Sequence, residues 1–161
     1  MGESFKVFVT KDYLKFSAAH FIAYKGFREA LHGHNYRVSV EVEGQLGAQG
    51  YVVDFGVVKK LARELCGQLD EKMLVPAQSD VLTVREEGGQ VVLISETGQF
   101  SFPRGDCVIL PIVHSSAEEL ARYLAGELRQ RIERDGVVGV NAIQVGVEET
   151  TGQAAFYRYD S

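Results

Sequence analysis

The sequence predicts an α+β fold, an antiparallel sheet with two helices packed on one of its faces. Three observations carry that expectation. Segments that alternate with period two stand at both ends of the chain, and two amphipathic segments with capping residues stand between them. No repeat, low-complexity stretch or linker divides the 161 residues, so 1–161 reads as one domain. The order is strand, strand, helix, small hairpin, helix, strand, strand.

Phe5 to Thr10 and Leu14 to Ile22 read as two extended segments, or as one strand broken near Lys11-Asp12. From Tyr36 to Glu43, Val38, Val40 and Val42 share one face and Arg37, Ser39, Glu41 and Glu43 the other, the pattern of a half-buried strand. Gly44 to Gly50 is a turn. Asp54 is placed to cap a helix, and Val57, Val58, Leu61, Leu65 and Leu69 then recur at helical spacing, predicting a helix over about Phe55 to Leu69. Short alternating stretches around Glu87-Gly88-Gly89 and Thr97-Gly98 predict a hairpin between Val81 and Phe102. Ser116-Ala117-Glu118-Glu119 is a capping-box pattern ahead of Leu120, Tyr123, Leu124 and Leu128, so a second helix runs to about Arg134 before Gly136 and Gly139. Asn141 to Glu148 and Ala154 to Tyr159 close the chain as two strands around Thr151-Gly152.

Composition excludes some functions. A net charge of −5 argues against a nucleic-acid partner, because a phosphate backbone calls for a basic face. It leaves room for a small anionic substrate, since one pocket can be basic on an acidic protein. No apolar run reaches the roughly 18 residues of a membrane span, and MGESFKVFVTKDY has no signal-peptide core. Lys6 stands where a myristoylation signal prefers Ser or Thr. Cys66 and Cys107 form no C-x-x-C pair and read as reduced thiols of a cytoplasmic protein.

Three of the four histidines, His20, His32 and His34, lie within fifteen residues. His32-Gly33-His34 opens a strand, so both imidazoles point to one face. The segment Phe21 to Leu31 can close a hairpin that brings His20 beside them. Three imidazoles with a fourth position open suit a catalytic zinc ion, which binds and polarises water or hydroxyls there. Spacing alone leaves separate core or surface histidines equally open.

The stretches Phe16-Ser17-Ala18-Ala19-His20, Leu31-His32-Gly33-His34-Asn35-Tyr36 and Gly50-Tyr51-Val52-Val53-Asp54-Phe55 together resemble the 6-pyruvoyl-tetrahydropterin synthase and 6-carboxytetrahydropterin synthase superfamily. Leu69-Asp70, Ser116-Ala117-Glu118-Glu119-Leu120-Ala121 and Val147-Glu148-Glu149-Thr150 follow in the family's order, so the likeness spans nearly the whole chain. It implies the tunnelling fold (T-fold), in which subunits join their antiparallel sheets into a barrel, and a homohexamer with active sites at subunit interfaces. It assigns His20, His32 and His34 to zinc. It assigns Glu149 to the pterin ring, whose paired donors a carboxylate accepts in bidentate fashion; read alone, Glu149 is a solvated strand-end acid. Ser116 and Glu118 are implied pocket residues, with helix capping an equal alternative.

Two departures decide the expected chemistry. Usual members carry a catalytic cysteine four residues before the first histidine of the H-G-H motif, where this chain has Arg28. Phe27-Arg28-Glu29-Ala30-Leu31-His32 instead resembles the Plasmodium-type group in which glutamate replaces cysteine as the base, as do the K-G-F-R-E lead-in and the L-P-I-x-H-S-S segment. That group is associated with cleaving 7,8-dihydroneopterin triphosphate to 6-hydroxymethyl-7,8-dihydropterin, a folate precursor, so Glu29 is the expected base. The family's Asp-His relay at the end of the first helix is here Asp70-Glu71, so either His114 or Glu71 completes the relay with Asp70 or carbon-carbon cleavage needs no relay, with a loop or near-cap histidine an equal reading of His114. Lys25, Arg28 and Arg37 are cations near the metal motif that could meet the triphosphate. Two alternatives stand beside this reading: 6-pyruvoyl- or 6-carboxytetrahydropterin synthesis, and a non-catalytic paralogue that binds pterin.

Overall fold

The computed structural model describes residues 2–161. Strand β1, Phe5–His20, is longer than either expected segment, and it absorbs the break as an irregularity. It spends five steps, Thr10 to Lys15, where its partner spends two, Ser39 to Arg37, so a bulge forms around Lys11-Asp12. A tight hairpin of β2 (Ala23–Tyr24) and β3 (Phe27–Arg28) follows, with Gly26 at φ 84° in its turn, a conformation that glycine adopts without penalty. Strand β4, His32–Gly44, returns antiparallel to β1.

Asp54 caps helix α1, Phe55–Leu69, by accepting the Gly56 N–H on its carboxylate. Strand β5, Lys72–Pro76, was not legible as a strand. The strands β6 (Thr83–Glu87), β7 (Gln90–Ser95) and β8 (Gly98–Pro103) form a separate three-stranded sheet, one strand more than the expected hairpin. After β9, Cys107–Leu110, helix α2 runs over Ala117–Arg134, and β10 (Val140–Thr150) and β11 (Gln153–Asp160) complete the chain.

The main sheet has the order β11-β10-β4-β1-β5-β9. Its four long strands are antiparallel, as expected. Against expectation, β5 runs parallel to β1, and β9 runs parallel to β5, so the sheet is mixed. The reason lies in Met73-Leu74-Val75-Pro76, a continuous buried run. Parallel strands covered on both faces do not alternate and give no period-two signal.

One face of the sheet is covered. Phe16, Tyr36, Val38, Val40, Val42, Val145 and Val147 pack against Val58, Leu61 and Leu65 of α1 and Leu120, Leu124 and Leu128 of α2 in a single core. Both helices therefore lie on one side. On the other face Phe8 and Phe156 are about 60% exposed (58% and 61%), among charged neighbours. A second, smaller core joins Phe21, Ala23, Met73 and Val75 to Val91 and Leu93 of the small sheet. No helix is long and apolar enough to cross a membrane among the described residues.

Candidate active site

Cross-strand register assembles the histidines. His20 stands opposite His32, and Ala18 stands opposite His34, in the antiparallel ladder of β1 and β4. The small side chain at 18 leaves space under His34. Between His32 and His34, Gly33 is required by close approach, because a Cβ there would lie 2.9 Å from the Ala18 carbonyl oxygen. Ring centroids are 4.7 Å apart for His20–His32, 4.9 Å for His32–His34 and 5.2 Å for His20–His34. One nitrogen of each ring lies within 4.8 Å of the others, and these three residues form the one such group among the described residues.

Donor chemistry fits a cation. A carbonyl can only accept, so His20 Nδ1 donates to Ser115 O at 2.8 Å and His32 Nδ1 donates to Ala30 O at 2.7 Å. Each bond leaves Nε2 with a free lone pair, the form in which imidazole ligates a metal. His20 is 1% exposed, and its Nε2 has no hydrogen-bond partner. A buried lone pair with no partner is costly unless something fills the position. Burial holds the His20 pKa below its ordinary value, against the smaller opposing pull of the Ser115 carbonyl and Glu149, and so favours the neutral, ligating ring.

Glu149 was expected at the edge of a pterin. The structure places its Oε1 3.3 Å from His20 Nε2 and 3.4 Å from His34 Nε2. Glu149 falls at a register irregularity of β10 between Glu148 and Thr150, the kind of bulge that re-aims a side chain. Tyr36 floors the site. Its buried ring stacks on Phe16 at 4.7 Å and stands edge-on to His34 at 5.5 Å. Burial, reinforced by Glu149 and Glu29, pushes its phenol pKa up, so the group remains a hydrogen-bond donor.

Glu29 lies on the loop between β3 and β4. Its N–H donates to Ile22 O at 2.9 Å, and its Oε1 accepts the Ile22 N–H at 2.7 Å. The loop that joins His20 to His32 thus presents a carboxylate and no thiol. Cys66 and Cys107 are buried elsewhere, in α1 and β9, and burial pushes Cys66 up to about 12. Arg28 turns away to the small sheet. Arg37 follows His34 by three positions and so lies on the opposite, exposed face, while Lys25 is exposed on the β2–β3 turn.

Asp70 Oδ1 accepts the Ser17 N–H at 2.8 Å, and Glu71, at φ 58°, donates its N–H to Ser17 O, stapling the end of α1 to β1. Among the described residues, the His114 imidazole has no hydrogen-bond or ion-pair partner, while its backbone N–H donates to Glu119 Oε2 at 2.8 Å. Ser116 Oγ accepts the Glu119 N–H at 3.2 Å, which is the capping role; Glu118 is exposed. The capping box is incomplete, because Glu119 receives the N–H groups of Val113 and His114 rather than that of Ser116.

Sequence reasoning missed Ser115. It lies 95 positions from the His20 ring it orients, and its only local signal is its place just before a capping serine.

Comparison with known proteins gives a consistent picture. Residues 9–160 match the family described as 6-pyruvoyl tetrahydropterin synthase. A Methanocaldococcus jannaschii protein, named as a candidate 6-carboxy-5,6,7,8-tetrahydropterin synthase, is 34% identical over 146 residues, 90% of each chain. The crystal structure of 6-pyruvoyl tetrahydropterin synthase from Plasmodium vivax superposes with a TM-score of 0.94 at 38% identity, covering 99% of this chain and 100% of that one. The P. vivax protein has also been solved with a catalytic glutamate replaced by alanine and by cysteine. A dihydroneopterin monophosphate aldolase from Pyrococcus furiosus is 39% identical over 59 residues, 37% of this chain and 50% of that one.

Proposed function

Because the chain belongs to the 6-pyruvoyl tetrahydropterin synthase family, we propose that it is a zinc-dependent enzyme that cleaves the side chain of 7,8-dihydroneopterin triphosphate to give 6-hydroxymethyl-7,8-dihydropterin. One observation carries this reading: the loop between the histidines, which has Arg28 at the position of the usual cysteine, presents next to it the carboxylate of Glu29, tied by one oxygen to Ile22 N–H. The catalytic glutamate of the P. vivax protein and the aldolase name of the P. furiosus relative support it.

His20, His32 and His34 are the residues to hold zinc, which when bound would supply positive charge that acidifies a side-chain hydroxyl. The remaining steps belong to the chain's own residues. Glu149 has one oxygen beside the imidazoles and its other oxygen is assigned to the amino edge of the pterin, which sets the side chain over the site. The free oxygen of Glu29 takes the proton of the hydroxyl on the second side-chain carbon. The deprotonated hydroxyl oxygen on the second carbon becomes a carbonyl, the bond between the first and second carbons breaks, and the electron pair of that bond passes to the first carbon and the conjugated ring. Return of the proton to the first carbon completes the hydroxymethyl group and releases glycolaldehyde triphosphate. Asp70 and His114 are assigned to relay that proton. Ser116 and Glu118 are assigned to the pocket rim, with Ser116 Oγ already engaged in capping.

The unpaired edges of β11 and β9 support joining subunits through their sheets, as a homohexameric barrel would require. Two free cysteines support a reducing, cytoplasmic setting. The second reading, 6-carboxy- or 6-pyruvoyltetrahydropterin synthesis, is favoured by the name of the M. jannaschii relative.

Incubating zinc-loaded protein with 7,8-dihydroneopterin triphosphate and weighing the product by mass spectrometry separates these readings. The hydroxymethyl product, lost in Glu29→Ala, is expected. A carboxy or pyruvoyl product would select the second reading, and bound pterin without turnover would identify a binding paralogue.

A further inference from the structure

We infer that Arg28 is a positioning residue that fixes Glu29 by clamping its loop to the small three-stranded sheet. Arg28 precedes Glu29 in the motif, but among the described residues no hydrogen bond or ion pair joins it to a histidine. Its Nε donates to Thr97 Oγ1 at 3.0 Å, in the turn between β7 and β8. Its Nη1 donates to the Glu29 carbonyl at 2.9 Å. Its Cζ lies 4.9 Å from the Phe100 ring centroid and 5.6 Å from that of Phe21, and these two rings stack on each other at 4.8 Å. One planar cation therefore joins the segment after β1, the β7–β8 turn, strand β8 and the peptide of the proposed base.

The arrangement needs arginine. The guanidinium donates in two directions within one plane while its face covers an aromatic ring, and an ammonium group cannot do both. Without it, the Glu29 carbonyl loses its donor, and the segment 23–31 is tied to the fold at Glu29 chiefly by the two bonds to Ile22. The three-stranded sheet holds no proposed ligand or base, yet on this account it is the platform against which the base is aimed.

The inference rests on Glu29 being the base, and the tests separate the two claims. Hydrogen exchange read by mass spectrometry needs no activity. Arg28→Ala should speed exchange at the Glu29 and Ile22 amides while leaving β4 and zinc content unchanged. Unaltered exchange at those amides would overturn the clamp.

Kinetically, Arg28→Ala should lower kcat by between about tenfold and 10²-fold, the scale of a misplaced catalytic group, with a smaller change in KM. Arg28→Lys should recover only part of the loss, and Thr97→Val should show a milder loss in the same direction. In a Glu29→Ala background the Arg28→Ala loss should vanish, because the residue acts through the carboxylate. An equal loss in both backgrounds would reject positioning while leaving Glu29 as the base. Full activity in Glu29→Ala alone would instead remove Glu29, and with it the reading on which the clamp depends.

Discussion

The three imidazoles and Glu29 sit within one short stretch of chain but are held by different kinds of structure. His20, His32 and His34 stand on two long strands, in the stretch where the ladder runs regularly from Lys15 opposite Arg37 to His20 opposite His32, and backbone carbonyls orient the rings of His20 and His32. Glu29 stands on a short loop between strands, tied by two hydrogen bonds to the backbone of Ile22 and by the Arg28 side chain. Side chains carried by long paired strands tolerate changes in their neighbours, whereas a loop that depends in part on one arginine does not. On the proposed assignment, the histidine cluster is therefore expected to be robust and the placement of Glu29 fragile.

The sharpest way to break that contrast is to remove a ligand. His20→Ala should abolish both zinc retention, measured by elemental analysis, and turnover; retention of stoichiometric zinc would mean that the three rings do not share an ion. Glu29→Gln comes next. It should lower kcat by about 10² to 10⁴-fold, the usual worth of a general base, with zinc content unchanged. A parallel loss of zinc would erase the distinction between the two regions. Gly33→Ala attacks the ladder itself, since its Cβ would meet the Ala18 carbonyl. A destabilisation of about 1–3 kcal/mol, the range for overpacking, is expected in denaturant titration together with weakened zinc binding.

Smaller effects sharpen the picture at the edge of the site. Ser116→Ala should cost about 1 kcal/mol through the lost cap, while Glu118→Ala should change stability by less than about 0.5 kcal/mol, as exposed sites do. A large rise in KM for Glu118→Ala would place it in the pocket after all. Least of all should change at Cys66. With its thiol pushed up to about 12 by burial, it should resist alkylation at neutral pH in the folded protein and react fully once unfolded.

What was legible in the sequence follows local physics. Helix α1 is bounded by Asp54 and Leu69 as expected, because capping chemistry and a 3.6-residue period act within a few positions. The H-x-H pair was legible because a strand fixes the direction of alternate side chains. Features set by distant parts of the chain were not. β5 gave no alternation, Ser115 meets His20 across the whole molecule, and Glu149 turns toward the imidazoles only through a bulge of β10. Arg28 read as a free cation because nothing in the local sequence announces Thr97 or Phe100 as its partners.

The pairing of His20 with His32 across β1 and β4 has a consequence for assembly. If those strands slipped by two residues, every apolar side chain would still face inward, and hydrophobic burial would discriminate poorly against the error. The three nitrogens, however, would no longer converge. Capture of the proposed ion would therefore act as a proofreading step on strand alignment, and zinc uptake during refolding would report how many molecules have zipped in the correct frame.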